Sequence, residues 1–141
     1  MIHFQLISLS GIKFDGDVYE VVVPTSSGQI GVLSHHMNLI SVAVPGAIAV
    51  REASNTPDSQ LEYFAINGGA VEITDGLLKV LVDDADHADD INEEEARKAI
   101  ERAEKMKAEA KDSISLEHAQ NLVDRHTVRL QVAGLKRRNK R

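Results

Sequence analysis

The chain has 141 residues with 16 basic and 22 acidic side chains, a net charge of −6, six histidines and no cysteine. That length suits one domain, or a small domain with an appendage, and the lack of cysteine excludes disulfides, thiolate zinc sites and a cysteine nucleophile. No run approaches the roughly 20 apolar residues of a membrane-spanning helix. The opening Met1-Ile2-His3-Phe4 has no basic region before its apolar stretch, so a soluble intracellular protein without a leader is expected.

Residues 2–7 are predicted as a first strand, followed by a turn at Ser10-Gly11. Phe14-Asp15-Gly16-Asp17 reads as a turn centred on Asp-Gly, a dipeptide favoured where φ is positive. Residues 18–23 form a strand ended by Pro24, and Thr25-Ser26-Ser27-Gly28 makes the next turn. A short apolar strand at 29–33 follows. Residues 39–44 lead into Pro45-Gly46, a strong turn signal, and 47–52 return from it. After a polar loop at 53–60, strands at 61–66, 70–74 and 77–82 are separated by Asn67-Gly68-Gly69 and Asp75-Gly76. Short strands at this spacing build a β-sandwich or barrel, and two facing sheets bury one face of each.

Eight of the nine glycines and all three prolines lie before residue 77, and no glycine occurs again until Gly134. Because glycine and proline punctuate regular structure, their distribution places a change of architecture in the acidic stretch 83–90, read as a solvated linker. The fold class expected is an N-terminal antiparallel β-sandwich over residues 1–86, then a C-terminal antiparallel two-helix hairpin over 87–141. Asn92 is a candidate N-cap with Glu95 at N3, and Glu93 and Glu94 suit the positive end of the helix dipole. Ala96, Ala99, Ala103, Met106 and Ala110 line one face of the first helix. Leu116, Ala119, Val123, His126, Leu130 and Ala133 line a second helix over 115–136. An alanine-rich seam buries little area, so the hairpin is expected to be weakly held and able to move. Charge is distributed unevenly as well. Residues 125–141 carry seven of the 16 basic side chains and none of the 22 acidic ones.

No catalytic constellation emerges, and no metal or cofactor is expected. The chain lacks a G-x-x-x-x-G-K-S/T phosphate loop, and Gly28-Gln29-Ile30-Gly31, lying between strands, reads as a plain turn. Adjacent His35 and His36 point to opposite faces of an extended chain, which disfavours joint metal ligation. His126, in the helix seam, is expected to be a packed or partly exposed histidine and not a ligand. The acidic run 83–95 lacks the central glycine and alternation of an EF-hand. Nucleic acid is not an expected partner, because an acidic body opposes the basic tail and aromatic residues for stacking are few.

The run Val23-Pro24-Thr25-Ser26-Ser27-Gly28-Gln29-Ile30-Gly31-Val32-Leu33-Ser34-His35-His36-Met37-Asn38-Leu39 resembles a signature of the ε subunit of bacterial F-type ATP synthases, and Pro45-Gly46 stands where that signature has Pro-Gly. Residues 62–73, 78–85 and 91–104 resemble, in order, the family's Ser-Gly-Gly strand pair, its Val-Thr-Val-Leu-Ala-Asp segment and its first C-terminal helix. The resemblance implies a ten-stranded sandwich and a two-helix hairpin in a non-catalytic rotor subunit of a proton-driven synthase. Its implied partners are the γ subunit, the c ring and, through the C-terminal helix, the α/β catalytic head. Its implied location is peripheral, at the cytoplasmic face of the cell membrane, where the mobile hairpin regulates ATP hydrolysis. Carried onto this chain, the partner-binding residues are Ser27, Gly28, Gln29, His36, Arg125 and Arg129, and the basic end of the chain, with Lys136, Arg137 and Arg138, is expected to dock on an acidic protein surface. The ATP-binding motif of some members, Ile/Leu-Asp-x-x-Arg-Ala, here reads Ile91-Asn92-Glu93-Glu94-Glu95-Ala96. Asn92 and Glu95 replace its Asp and Arg while Arg125 and Arg129 match the second-helix arginines, so little or no ATP binding is expected.

Overall fold

The structure, a computed structural model, describes the backbone of residues 1–139 and the side chains of residues 1–137. Eight strands, β1 (Ile2–Ser8), β2 (Gly11–Val18), β3 (Glu20–Thr25), β4 (Gly28–Val32), β5 (Leu39–Arg51), β6 (Glu62–Thr74), β7 (Leu77–Val82) and β8 (Ala85–His87), precede two helices, α1 (Glu93–Glu109) and α2 (Ser113–Asn139). All pairings are antiparallel except that of β1 with β7. Among the described residues, no helix is long and apolar enough to cross a membrane.

The two longest strands make the sandwich. β5 and β6 stay paired from Leu39↔Ile73 through Pro45↔Asn67 to Val50↔Glu62. Their two halves serve different layers. One layer runs β2-β1-β7 and then the 69–74 and 39–43 ends of β6 and β5. The other runs β8, the 62–67 and 45–51 ends of β6 and β5, then β3 and β4. Five strands in each layer reconcile eight continuous strands with the ten that the resemblance implied. Alternating residues of both layers, including Phe4, Leu6, Val21, Ile48, Ile66, Val71 and Val80, close a single core.

Several local expectations are corrected. Pro45-Gly46 and Asn67-Gly68-Gly69 are not chain reversals but facing irregular points where two paired strands bend together. Gly69, at φ +156°, shows why a small residue is needed: an added Cβ would lie 2.1 Å from the Leu81 carbonyl oxygen. Phe14-Asp15-Gly16-Asp17 is strand, paired with β1 from Gln5↔Asp15 to His3↔Asp17. Its inward Phe14 and outward aspartates are a period-two pattern. Pro24 does not end β3, which continues to Thr25 through a register shift against β5. The Asp75-Gly76 connection behaves as predicted, with φ of 49° and 84° in a two-residue reversal.

The acidic stretch 83–90 is not a solvated linker. It forms β8, whose His87 pairs with Phe64 of β6, and a 3-10 turn at Ala88–Asp90. The predicted cap is present, with Asn92 Oδ1 accepting from Glu95 N at 3.0 Å. α2 starts earlier than expected because Asp112 Oδ1 accepts from Ser115 N at 2.7 Å. The predicted seam is only partly buried. Ala96, Ala103, Ala119 and Ala133 are enclosed, whereas Met106 and Leu116 at the free end of the hairpin are exposed.

Candidate functional site

The basic face of α2 meets the sandwich. Its C-terminal half lies on the outward face of β5 and β6, where Val132 and Ala133 cover Tyr63 and Ala65, with Ala47, Ala49 and Leu61 beside them. That is why β6 is buried on both faces from residue 63 to 66. Charged pairs surround this apolar contact. Arg125 is bonded to Asp84, and Arg129 Nε stands 3.0 Å from Asp86 Oδ2. Arg129 Nε is buried without an aligned hydrogen bond, so this second pair is a charge contact. Lys136 Nζ donates to the Leu61 carbonyl at 3.4 Å and lies 3.9 Å from Glu62 Oε2. Arg137 reaches Glu93 on α1 at 2.9 Å. Arg138 is the remaining cationic residue expected at a partner, and its side chain lies outside the described residues. The structure thus brings Arg125, Arg129 and Lys136 together on one surface of the sandwich.

Between the two arginines lies His126, half-buried, with Arg129 Nη1 3.4 Å from its Nδ1. Burial first, then Arg129, Arg125 and Arg102, hold its proton affinity below that of a free imidazole, while Asp86 acts in the opposite sense. Elsewhere the exposed His3 is clamped by Asp17 and Asp15 at 2.8 and 2.7 Å, and these hydrogen bonds raise its pKa. Asp112 is shifted down, chiefly by the Ser115 backbone N–H that it caps.

The residues of the altered nucleotide motif take structural positions. Ile91 is buried under α2, Asn92 caps α1, Glu95 is exposed in the first turn, and Ala96 is buried in the hairpin. A small recess between Asn67, Asp84, Asp86, Arg125 and Arg129 exists, but both arginines already face carboxylates.

Ser27, Gly28 and Gln29 sit far from that junction in sequence, on the tight β3–β4 turn, all exposed. Thr25 holds this turn, its hydroxyl donating to the Gly28 carbonyl at 2.5 Å and accepting from Ser27 N at 3.3 Å. His36 lies in the following loop with Nδ1 2.7 Å from the Met37 carbonyl, next to His35 at φ 66°.

One surface escaped the sequence reading. Register places Ile12 beside Ile7, Ile7 beside Leu81, Leu81 beside Ala70 and Ala70 beside Val42. The result is an apolar row across the outer face of five strands, with Ile12 62%, Leu81 44% and Val42 59% exposed. The adjoining row, Asp15, Gln5, Lys79 and Glu72, is polar and ends at Ile40. Each residue looked like an ordinary outward position of its own strand. Only pairing aligns them.

The class of protein is a β-sandwich bearing a two-helix hairpin, with an apolar outer row and paired charges at the hairpin contact. Residues 1–88 match the family described as ATP synthase, Delta/Epsilon chain, beta-sandwich domain, and residues 89–134 match its long alpha-helix domain. The chain belongs to this ATP synthase delta/epsilon family, as an epsilon-type, non-catalytic subunit. It is similar to the ATP synthase epsilon chain of Halalkalibacterium halodurans, with 34% identity over 94% of this chain and 97% of that one. The epsilon chains of Persephonella marina (30% identity over 96% and 98%) and Xanthomonas campestris pv. campestris (36% over 97% and 95%) are comparably similar. The fold is shared with a chain of the Euglena gracilis mitochondrial ATP synthase OSCP/F1/c-ring structure, at TM-score 0.76 and 20% identity, covering 95% of this chain and 81% of that one. A chain of the Tetrahymena thermophila mitochondrial ATP synthase central stalk and c-ring structure has TM-score 0.56 and 17% identity, covering 99% and 96%.

Proposed function

We propose that the chain couples the γ subunit to the c ring in the central stalk of a proton-driven synthase and regulates ATP hydrolysis through its hairpin. On this reading residues 1–86 are the rotor-binding unit and 87–141 the regulatory one. The subunit is peripheral, at the cytoplasmic face of the cell membrane. The observation that carries it is the exposed row Ile12, Ile7, Leu81, Ala70 and Val42, an apolar surface of the kind that marks a protein interface. We assign that row to γ, and the turn with Ser27, Gly28, Gln29 and nearby His36 to the c ring.

For the hairpin, Arg125, Arg129, Lys136, Arg137 and Arg138 are the residues that would meet the catalytic head after undocking. In the docked arrangement four of them are held by this chain's own groups. A hairpin clamped by ATP is the competing reading. Asp84 and Asp86 already occupy the arginines such a clamp would need, and Glu95 adds an anion, so the chain's own carboxylates take the clamp's place. Replacing Val42 and Leu81 with Glu places two charges on the outer row without touching the core. Co-purification with γ and the c ring is expected to fall at least tenfold while circular dichroism stays unchanged. Undiminished co-purification would remove the row from the interface and the reading with it.

A further inference from the structure

Register sets the last residue of β8 beside the hairpin contact. His87 stands opposite Phe64 of β6, its ring edge-on to that phenyl at 5.0 Å, and reaches Glu62 two residues along the same strand. The 3-10 turn that follows folds back on the imidazole, where Asp89 N donates to Nδ1 at 3.1 Å. A backbone N–H only donates, so Nδ1 is the bare nitrogen, and Nε2 carries the proton that is donated to Glu62 Oε2. The same Oε2 faces Lys136 Nζ of α2 at 3.9 Å. The Lys136 side chain is only 12% exposed, and among the described residues Glu62 is its counter-charge. An ammonium so withdrawn from water depends on where its carboxylate points, because an unpaired charge there is costly.

We propose that His87 is a positioning residue for hairpin docking: anchored by the Asp89 N–H, it aims Glu62 at Lys136 and so sets how firmly the end of α2 holds to the sandwich. The inference rests on the mobile-hairpin reading given above. Glu62 is half-buried, and without a partner its rotamers include ones that turn the carboxylate to water. The bond from Nε2 removes that freedom, and the Asp89 contact fixes both the ring and the tautomer that makes the bond. The carboxylate of Asp89 lies 3.7 Å from Nδ1, beyond hydrogen-bond distance, so the backbone N–H is the anchor. Residues 87–89, which lead from the sandwich to the hairpin, therefore act on the last turns of α2 without touching Lys136.

The chain has no cysteine, so one introduced thiol reports undocking in the full chain. Ala133→Cys places it on the buried face of α2 against the sandwich, and its labelling rate is referred to that of the exposed Ser54→Cys variant. His87→Asn shortens the side chain and withdraws the donor from Glu62, so labelling is expected to quicken about tenfold. His87→Gln offers an amide N–H to Glu62 and is expected to restore most of the slow rate. Glu62→Gln leaves β8 and its imidazole untouched and is expected to label as fast as His87→Asn. In the Lys136→Met background, His87→Asn is expected to add less than about twofold, whereas a merely structural histidine would add its full effect. Full additivity with Lys136→Met, labelling in His87→Gln as fast as in His87→Asn, or slow labelling in Glu62→Gln overturns the proposal. The double variant Asp84→Asn, Asp86→Asn tests the mobile hairpin separately, because it removes the two carboxylates that hold Arg125 and Arg129. Fast labelling there beside slow labelling in His87→Asn overturns the role of His87 alone. Slow labelling in both overturns the mobile hairpin and this inference together.

Discussion

Single residues decide whether the bent strands can pack. At Gly69 the backbone has φ +156° and the Leu81 carbonyl oxygen occupies the place of a side chain, 2.1 Å from a notional Cβ. Gly69→Ala must therefore displace backbone, not merely crowd a flexible neighbour. We expect the urea midpoint to fall by the equivalent of about 2–4 kcal/mol, the range for strain and overpacking together. A change of a few tenths would mean that β6 and β7 can separate freely at this point. Asn67-Gly68-Gly69 was legible as a break in regularity, since glycine marks turns, bulges and close approaches alike. Which of these it was depended on Leu81, twelve residues onward, and no local signal names that neighbour.

At the scale of elements, the first helix was the most legible. Asn92, Glu93, Glu94 and Glu95 match what orphan N–H groups and the helix dipole require, and Asn92 accepts from Glu95 N as that pattern predicts. Asn92→Ala is expected to cost about 1 kcal/mol and to speed hydrogen exchange in the first turn of α1 selectively. Uniform protection across both helices after this change would remove the cap from any role. α2 was harder to read because it has two partners. Its N-terminal half packs on α1 through Ala119, and its C-terminal half on β5 and β6 through Val132 and Ala133. One continuous stripe was predicted, and Val132 was not in it. β2 misled for another reason: Asp15-Gly16 is the dipeptide of a hairpin turn, but the alternation of Phe14, Gly16 and Val18 against Asp15 and Asp17 belongs to a strand edge.

For the molecule as a whole, two clusters set the hierarchy of stability. The main core, from Ile2 to Ala85, draws all its buried members from the strands, whereas the second cluster joins Tyr63 and Ala65 to Ala88, Ile91, Val132 and Ala133. Truncation after Asp89 is therefore expected to leave a cooperatively folded sandwich, weakened by about 2 kcal/mol through exposure of Tyr63 and its neighbours. Urea unfolding followed by circular dichroism reads this directly, and loss of a cooperative transition would show that the helices complete the core. The pairs Arg125 with Asp84 and Arg129 with Asp86 are partly exposed, so each is modest and sensitive to salt. Small apolar contacts and such pairs hold the hairpin, so its attachment is weaker than the strand core.

Read alone, the sequence determined the order of sandwich and helices, the position of most strands, the Asp75-Gly76 reversal, the α1 cap and the resemblance to the ε family. All of these are written in short-range terms: allowed dihedrals, side-chain periodicity and residue order over a few tens of positions. Tertiary structure alone decided that Pro45-Gly46 bends a continuous strand, since the same dihedrals serve a reversal or a bend and only the pairing of β5 with β6 selects between them. It decided that Asp84 and Asp86 hold the arginines of α2, although 41 residues separate Arg125 from its partner. It also aligned Ile12, Leu81 and Val42 into one surface, because cross-strand neighbours are set by register and not by distance along the chain.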